Sequence, residues 1–152
     1  MYRVKRGGAA PLYLVDLPGY GYARREAGQS RLEAVAVFEA LARDYFGREH
    51  AAGLLLVDAR HPGLDADRAA WRWMESTVGN VAIVATKIDK LARGERIRAM
   101  KTMESVFETS VLPASAVTGE GLDELWRTIE RLASSSPRET ATPPRRPPRQ
   151  RK

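Results

Sequence analysis

The sequence predicts an α/β protein with a mostly parallel sheet covered by helices on both faces. Three observations carry that expectation. Short apolar runs such as Leu54 to Val57 are continuous rather than alternating, as in strands buried on two sides. Segments with apolar residues at helical spacing lie between those runs, as in βαβ units. The residues with the most distinctive chemistry fall just after the runs, where open α/β sheets bind ligands.

Four stretches are expected as strands: Leu12 to Asp16, Leu54 to Asp58, Val81 to Thr86 and Val111 to Ser115. Tyr2 to Lys5 reads as the end of another, with Gly7-Gly8 as the turn after it. Helical spacing first appears in Leu32, Val35, Leu41, Ala42 and Tyr45. Ala70, Trp73 and Met74 mark a second helix, and Trp71 and Trp73 are expected in the core or facing a partner. Ile97, Met100, Met103 and Phe107 mark a third. The clearest pattern is Leu122, Leu125, Trp126, Ile129 and Leu132. No internal repeat is evident.

The 152 residues suit one domain with a sizeable core. The absence of cysteine excludes a disulfide scaffold and thiolate metal sites, and suits a reducing, cytoplasmic setting. Met1 to Arg6 leads into glycines rather than a signal-peptide core, and the apolar runs are far too short to span a bilayer. No membrane association is expected. The net charge is +6, and it is uneven. From Ser134 onward, Arg138, Arg145, Arg146, Arg149, Arg151 and Lys152 face Glu139 alone, beside five of the nine prolines. Residues 134–152 are therefore expected as a disordered basic tail, and residues 1–133 as the folded domain. The tail either contacts RNA phosphates or solubilises the chain. The nearly neutral body has no general nucleic-acid signature.

Asp16-Leu17-Pro18-Gly19 follows the first full strand. An aspartate there holds a water on Mg²⁺, and a glycine three residues later lets its amide approach a terminal phosphate. Thr86-Lys87-Ile88-Asp89 follows the strand beginning at Val81, and fits the guanine-recognition pattern [NT]-K-x-D. The Asp89 carboxylate suits the ring N1–H and exocyclic amine of guanine, donors that adenine does not offer in that geometry. The Lys87 stem suits the face of the base and ribose. Ala114-Ser115-Ala116 ends the last strand, and the Ser115 and Ala116 amides are expected to donate to the guanine O6.

At these residues the chain resembles a known family. Asp16-Leu17-Pro18-Gly19-Tyr20-Gly21-Tyr22-Ala23 is similar to the hallmark of the EngB (YihA/YsxC) family of bacterial Ras-like GTP-binding proteins. Asp58-Ala59-Arg60-His61-Pro62, Thr86-Lys87-Ile88-Asp89-Lys90-Leu91 and Ser115-Ala116-Val117-Thr118-Gly119-Glu120-Gly121 are similar to it too. The match covers nearly all of residues 2 to 133. The resemblance implies a Ras-like fold, GTP and GDP as ligands with Mg²⁺, and slow GTP hydrolysis. It also implies a role in large ribosomal subunit assembly and in division-septum formation, with the ribosome and its RNA as partners of a monomer.

Two departures qualify those expectations. None of the twelve glycines is followed by Lys-Ser or Lys-Thr, so the sequence holds no P-loop G-x-x-x-x-G-K-[ST]. Met1 to Val4 looks like the middle of the family's second strand. The expectation is thus a fold lacking the first strand, P-loop, first helix and switch I threonine, with impaired nucleotide binding and no direct Mg²⁺ ligand beyond the water-mediated Asp16. Tyr20 stands where Ras proteins carry the glutamine that positions the attacking water, and no other catalytic residue is identified.

Competing readings remain for several residues. Asp58 ends an apolar run but lacks a following D-x-x-G, which suggests a structural or loop-ordering role. His61 lacks a ligand partner at useful spacing and is expected to pack its loop, while His50 looks like a surface residue. Tyr20 and Tyr22 suit stacking on a base, contact with RNA or packing of the loop after Gly19. The alternative function is a non-enzymatic, ribosome- or RNA-associated module that has lost nucleotide switching. The blandest is a non-functional fragment.

Overall fold

The computed structural model describes residues 1–5, 11–17 and 51–134. The described residues form two sheets. Strand β1 (Tyr2–Val4) pairs antiparallel with β2 (Leu12–Leu14), with Arg3 opposite Tyr13. Strands β3 (Gly53–Asp58), β4 (Val81–Thr86) and β5 (Val111–Pro113) form a parallel sheet in the order β3-β4-β5. Helix α1 (Asp65–Thr77) joins β3 to β4, and α2 (Arg93–Phe107) joins β4 to β5. Helix α3 (Leu122–Ser134) follows β5. The βαβ reading of this half thus matches the sequence expectation. The expected turn at Gly7-Gly8, the helix marked by Leu32 to Tyr45 and residues 135–152 of the basic tail lie outside the described residues.

Burial explains why β4 is central. Ile83, Val84 and Ala85 are all essentially inaccessible, while β3 leaves Leu56 62% exposed. Both strands are continuous apolar runs, so periodicity alone did not distinguish a strand paired on two sides from one paired on a single side among the described residues. The core gathers Val57, Ile83, Ala85 and Val111 from the sheet and Trp71, Met103 and Phe107 from the helices. The Trp71 and Phe107 rings meet edge to face at 6.4 Å between centroids, a favourable aromatic geometry.

Helix α1 begins with Asp65 and Asp67 in its first turn, where carboxylates favour the helix dipole. Helix α2 starts with the Glu95 side chain accepting from the Ala92 amide at 3.0 Å, which satisfies one N-terminal donor. Its buried face is Ala99, Met103 and Phe107. Ile97, expected in that stripe, is instead 52% exposed. The face is set by residues four apart, Ala99, Met103 and Phe107. The apolar stripe of α3 is half-buried throughout, with no fully buried residue. Among the described residues no helix is long and apolar enough to cross a membrane.

Candidate guanine-recognition site at the strand ends

Parallel register brings three loops together. Asp58 lies opposite Thr86, and Ala85 lies opposite Pro113, so the segments after β3, β4 and β5 emerge side by side. They are cross-braced at once. The Ala59 amide donates to the Thr86 carbonyl at 3.0 Å, and the Thr86 hydroxyl donates to the Val57 carbonyl at 2.9 Å. The Ala114 amide donates to the Ala85 carbonyl at 2.8 Å.

Lys87 then turns the chain. Its φ of 61° and ψ of 30° are left-handed, a conformation that costs a non-glycine residue roughly 1–2 kcal/mol. The turn leads into a short 3₁₀ segment, Ile88–Lys90. Ile88 plugs the core at 1% exposure, which leaves Asp89 directed toward the end of β5. There the Ser115 hydroxyl donates to Asp89 Oδ1 at 2.6 Å. The same hydroxyl accepts from the Val117 and Thr118 amides, both at 3.2 Å. A hydroxyl has one donor and two acceptor positions, so fully buried Ser115 is saturated. Donation by Ser115, followed by contact with Lys90, holds the Asp89 carboxyl below the usual carboxylate range, against burial.

Glycines close the loop after β5. The Gly119 amide donates to the Ser115 carbonyl, and the Ser115 amide donates to the Glu120 carbonyl at 2.9 Å. Gly121 has φ of +78°, and a Cβ there would stand 2.0 Å from the Pro113 carbonyl oxygen. Glu120 is tied to α2 by the Arg96 guanidinium at 2.6 Å, which holds its carboxyl below the usual range.

This geometry corrects three sequence expectations. The Ser115 amide is committed to Glu120, so it is not the expected donor to a guanine O6; the exposed Ala116 is the remaining candidate. Ile88 and Ala114, counted among the nucleotide-binding residues, are buried at 1% and 4% exposure, so their side chains act through packing. Strand β5 stops at Pro113 rather than Ser115, because the Ser115 amide bonds back to its own loop.

Asp16 and Leu17 follow β2, with Asp16 exposed. No hydrogen bond or ion pair joins Asp16 to the strand-end cluster among the described residues. Pro18, Gly19 and Tyr20 lie outside the described residues. Among the described residues there is no group of three His, Cys, Asp or Glu that could hold a metal. A hollow of about 420 Å³ on α2, lined in part by Arg93, Ile97 and Met100, includes none of the recognition residues.

Asp58 is more engaged than its sequence reading suggested. Arg60 grips it through Nε and Nη2, at 2.9 Å to Oδ1 and 2.6 Å to Oδ2, and the Arg60 amide adds a bond at 3.0 Å. The Lys87 ammonium donates to the same Oδ2 at 2.9 Å. Arg60 first and Lys87 after it hold the Asp58 carboxyl far below the usual range. The contact with Lys87 spans 29 residues. Its sequence signal is an aspartate ending one apolar run and a T-K-x-D ending the next, which parallel register brings together. His61 is exposed, and its amide donates to the Asp58 carbonyl at 3.0 Å.

These carboxyls set an acid limit on stability. A depressed carboxyl contributes stability that is complete above its unfolded-state value and lost as pH falls through its folded-state value. Asp58, Asp89 and Glu120 are of this kind. Asp67 acts oppositely, because burial, then the charge of Asp58, raises its pKa; its contribution is present at low pH and lost as pH rises. Among the described residues three such groups stand against one, so the melting temperature is expected to fall most steeply below the ordinary carboxylate range. Asp58→Asn is expected to be less stable than the parent near neutral pH, with the gap narrowing as the pH falls below the ordinary carboxylate range. Thermal melts across that range check this, and a constant gap would exclude the carboxylate charge as the cause.

No protein-family model matches the chain. It is 38% identical to a protein named probable GTP-binding protein EngB from Thermotoga maritima, over 126 residues, 79% of this chain and 62% of that protein. It is 39% identical over 125 residues to a protein of the same name from Chlorobaculum parvum, covering 80% of this chain and 61% of that one. A third, from Anaeromyxobacter sp. strain K, is 36% identical over 132 residues, with 85% and 60% covered. The chain thus spans about three-fifths of the length of these relatives. The crystal structure of a probable GTP-binding protein EngB superposes with a TM-score of 0.62 at 15% identity, covering 78% of this chain and 74% of that one. That likeness shows the α/β fold alone.

Proposed function

This chain is homologous to the EngB GTP-binding proteins over about four-fifths of its length, and on that premise we propose that it binds guanine nucleotide at the ends of β3, β4 and β5. The observation that carries the reading is the Ser115–Asp89 bond of 2.6 Å. It fixes a carboxylate, only 9% exposed, against the residue that precedes the exposed Ala116. A carboxylate accepting from N1–H and the exocyclic amine, with an amide donating to O6, matches the edge of guanine and rejects adenine. Thr86 braces the loop from which Lys87 and Asp89 project, and the Lys87 stem covers the face of base and ribose.

GTP and GDP are the proposed ligands, with Asp16, Leu17, Pro18 and Gly19 on the phosphate side. Mg²⁺ keeps several waters and takes few protein carboxylates, so Asp16 fits a water-mediated contact. When bound, the ion neutralises charge on the phosphate oxygens. The 152 residues contain no G-x-x-x-x-G-K-[ST], so affinity in this chain rests on the base pocket and is weak. With Tyr20 at the position of the water-orienting glutamine, hydrolysis is slow.

The wider role proposed is that of the resembling family, assembly of the large ribosomal subunit and septation in the cytoplasm, by a monomer. Residues 1–133 supply the partial GTP-binding domain, and the basic tail from residue 134 contacts ribosomal RNA. That tail also favours the second reading, an RNA-associated module without nucleotide switching. Calorimetric titration of the full chain with GDP and ADP, then with ribosomal RNA before and after removal of residues 134–152, separates them. Preference for GDP, retained without the tail, supports the first. RNA binding that is lost with the tail, with no GDP preference at all, supports the second.

A further inference from the structure

We propose that Asp58 is a positioning residue for Lys87, holding its ammonium so that the lysine stem lies ready along a guanine nucleotide. This inference rests on the guanine-pocket reading above. Asp58 is well suited to the task because it does not depend on the ligand for its own placement. Arg60 fixes both carboxylate oxygens, and its amide fixes Oδ1 again. The Asp58 side chain is 23% exposed while that of Lys87 is 54% exposed, so the anchor is the more enclosed of the two.

Single exposed ion pairs usually contribute little, because two long side chains must both be immobilised. Here one partner is already immobilised by a forked guanidinium, and the other leaves its backbone in a fixed left-handed turn. The remaining freedom is that of the lysine side chain alone. With Asp58 absent, Lys87 lies beside the positive charge of Arg60, and the two cations repel. The free lysine then pays its rotamer entropy on binding ligand instead of on folding. Base selection is untouched, because it belongs to Asp89, within the 3₁₀ segment that Lys87 precedes.

The test is a double-mutant cycle in the full 152-residue chain, using Asp58→Asn, Lys87→Met and both together, with GDP and ADP as probes. Asp58→Asn is expected to weaken GDP by roughly fivefold to tenfold, as loss of a single hydrogen bond does, with the GDP-to-ADP ratio unchanged. In the Lys87→Met background the same substitution is expected to cost nothing further, whereas a merely structural role gives additive losses. Without nucleotide, Lys87 in Asp58→Asn is expected to be acylated several-fold faster by acetic anhydride, measured by mass spectrometry, and Asp58→Glu to recover the slow rate. A parent that prefers GDP, with Asp58→Asn matching it in affinity and in Lys87 acylation, would overturn the positioning role alone. A parent with no preference for GDP over ADP would remove the guanine pocket itself, and this role with it.

Discussion

Gly121→Ala is expected to destabilise the protein by about 3 kcal/mol, which combines a left-handed conformation costing roughly 1–2 kcal/mol with overpacking costing about 1–3 kcal/mol. The added Cβ would stand 2.0 Å from the Pro113 carbonyl oxygen and 3.2 Å from the Ala114 Cα. Both obstacles are backbone, so no rotamer change relieves them. The shift has to be taken by the end of β5, two residues before Ser115, which holds Asp89. At roughly 2–4 °C per kcal/mol for a chain of this size, the melting temperature should fall by about 10 °C. Gly119 supplies the control. Its φ of +79° is nearly the same, but a Cβ there meets nothing within 4 Å. Gly119→Ala therefore carries only the conformational cost, about 1 kcal/mol. Melts followed by circular dichroism compare the two, and equal losses would show that the close approach at Pro113 is not what requires Gly121.

That comparison also marks where sequence reasoning reached and where it stopped. Val81 to Thr86 was legible as a strand with its observed limits, because a continuous apolar run ends in a recognition motif. That Asp89 and the end of β5 emerge on one edge of the sheet followed from the strand-end rule, but the Ser115–Asp89 bond did not. The end of β5 was not legible. Whether Ser115 continues the strand depends on its amide finding Glu120, which in turn needs the backbone that Gly119 and Gly121 permit. Ile97 looked like core because periodicity weighs apolarity, whereas the buried face of α2 is the row Ala99, Met103 and Phe107, which leaves Ile97 out. The Asp58–Lys87 contact was invisible for a different reason. Each residue had a sufficient local reading, and only the register of β3 on β4 joins them.

Asp89→Asn is expected to reverse base selection, weakening GDP by roughly a hundredfold or more and allowing xanthosine diphosphate to bind in its place. The direction follows from Ser115. Its hydroxyl accepts from the Val117 and Thr118 amides, which occupies both of its acceptor positions. It can therefore only donate to residue 89, as it does to Oδ1 at 2.6 Å. An asparagine at that position must turn its carbonyl oxygen to Ser115, since the opposite orientation would set an amide N–H against a hydroxyl with no lone pair free. The amide nitrogen then faces the ligand. Guanine presents donors at N1 and at its exocyclic amine, so a donor now meets a donor, and a desolvated polar group is left unpaired. Xanthine carries a carbonyl oxygen in place of the exocyclic amine and accepts that hydrogen bond. Competition between GDP and xanthosine diphosphate on the parent and on Asp89→Asn measures the exchange. Ser115→Ala added to Asp89→Asn should blunt it, because the amide is then free to turn either way. A switch of undiminished size in the double variant would mean that something other than the buried hydroxyl orients residue 89.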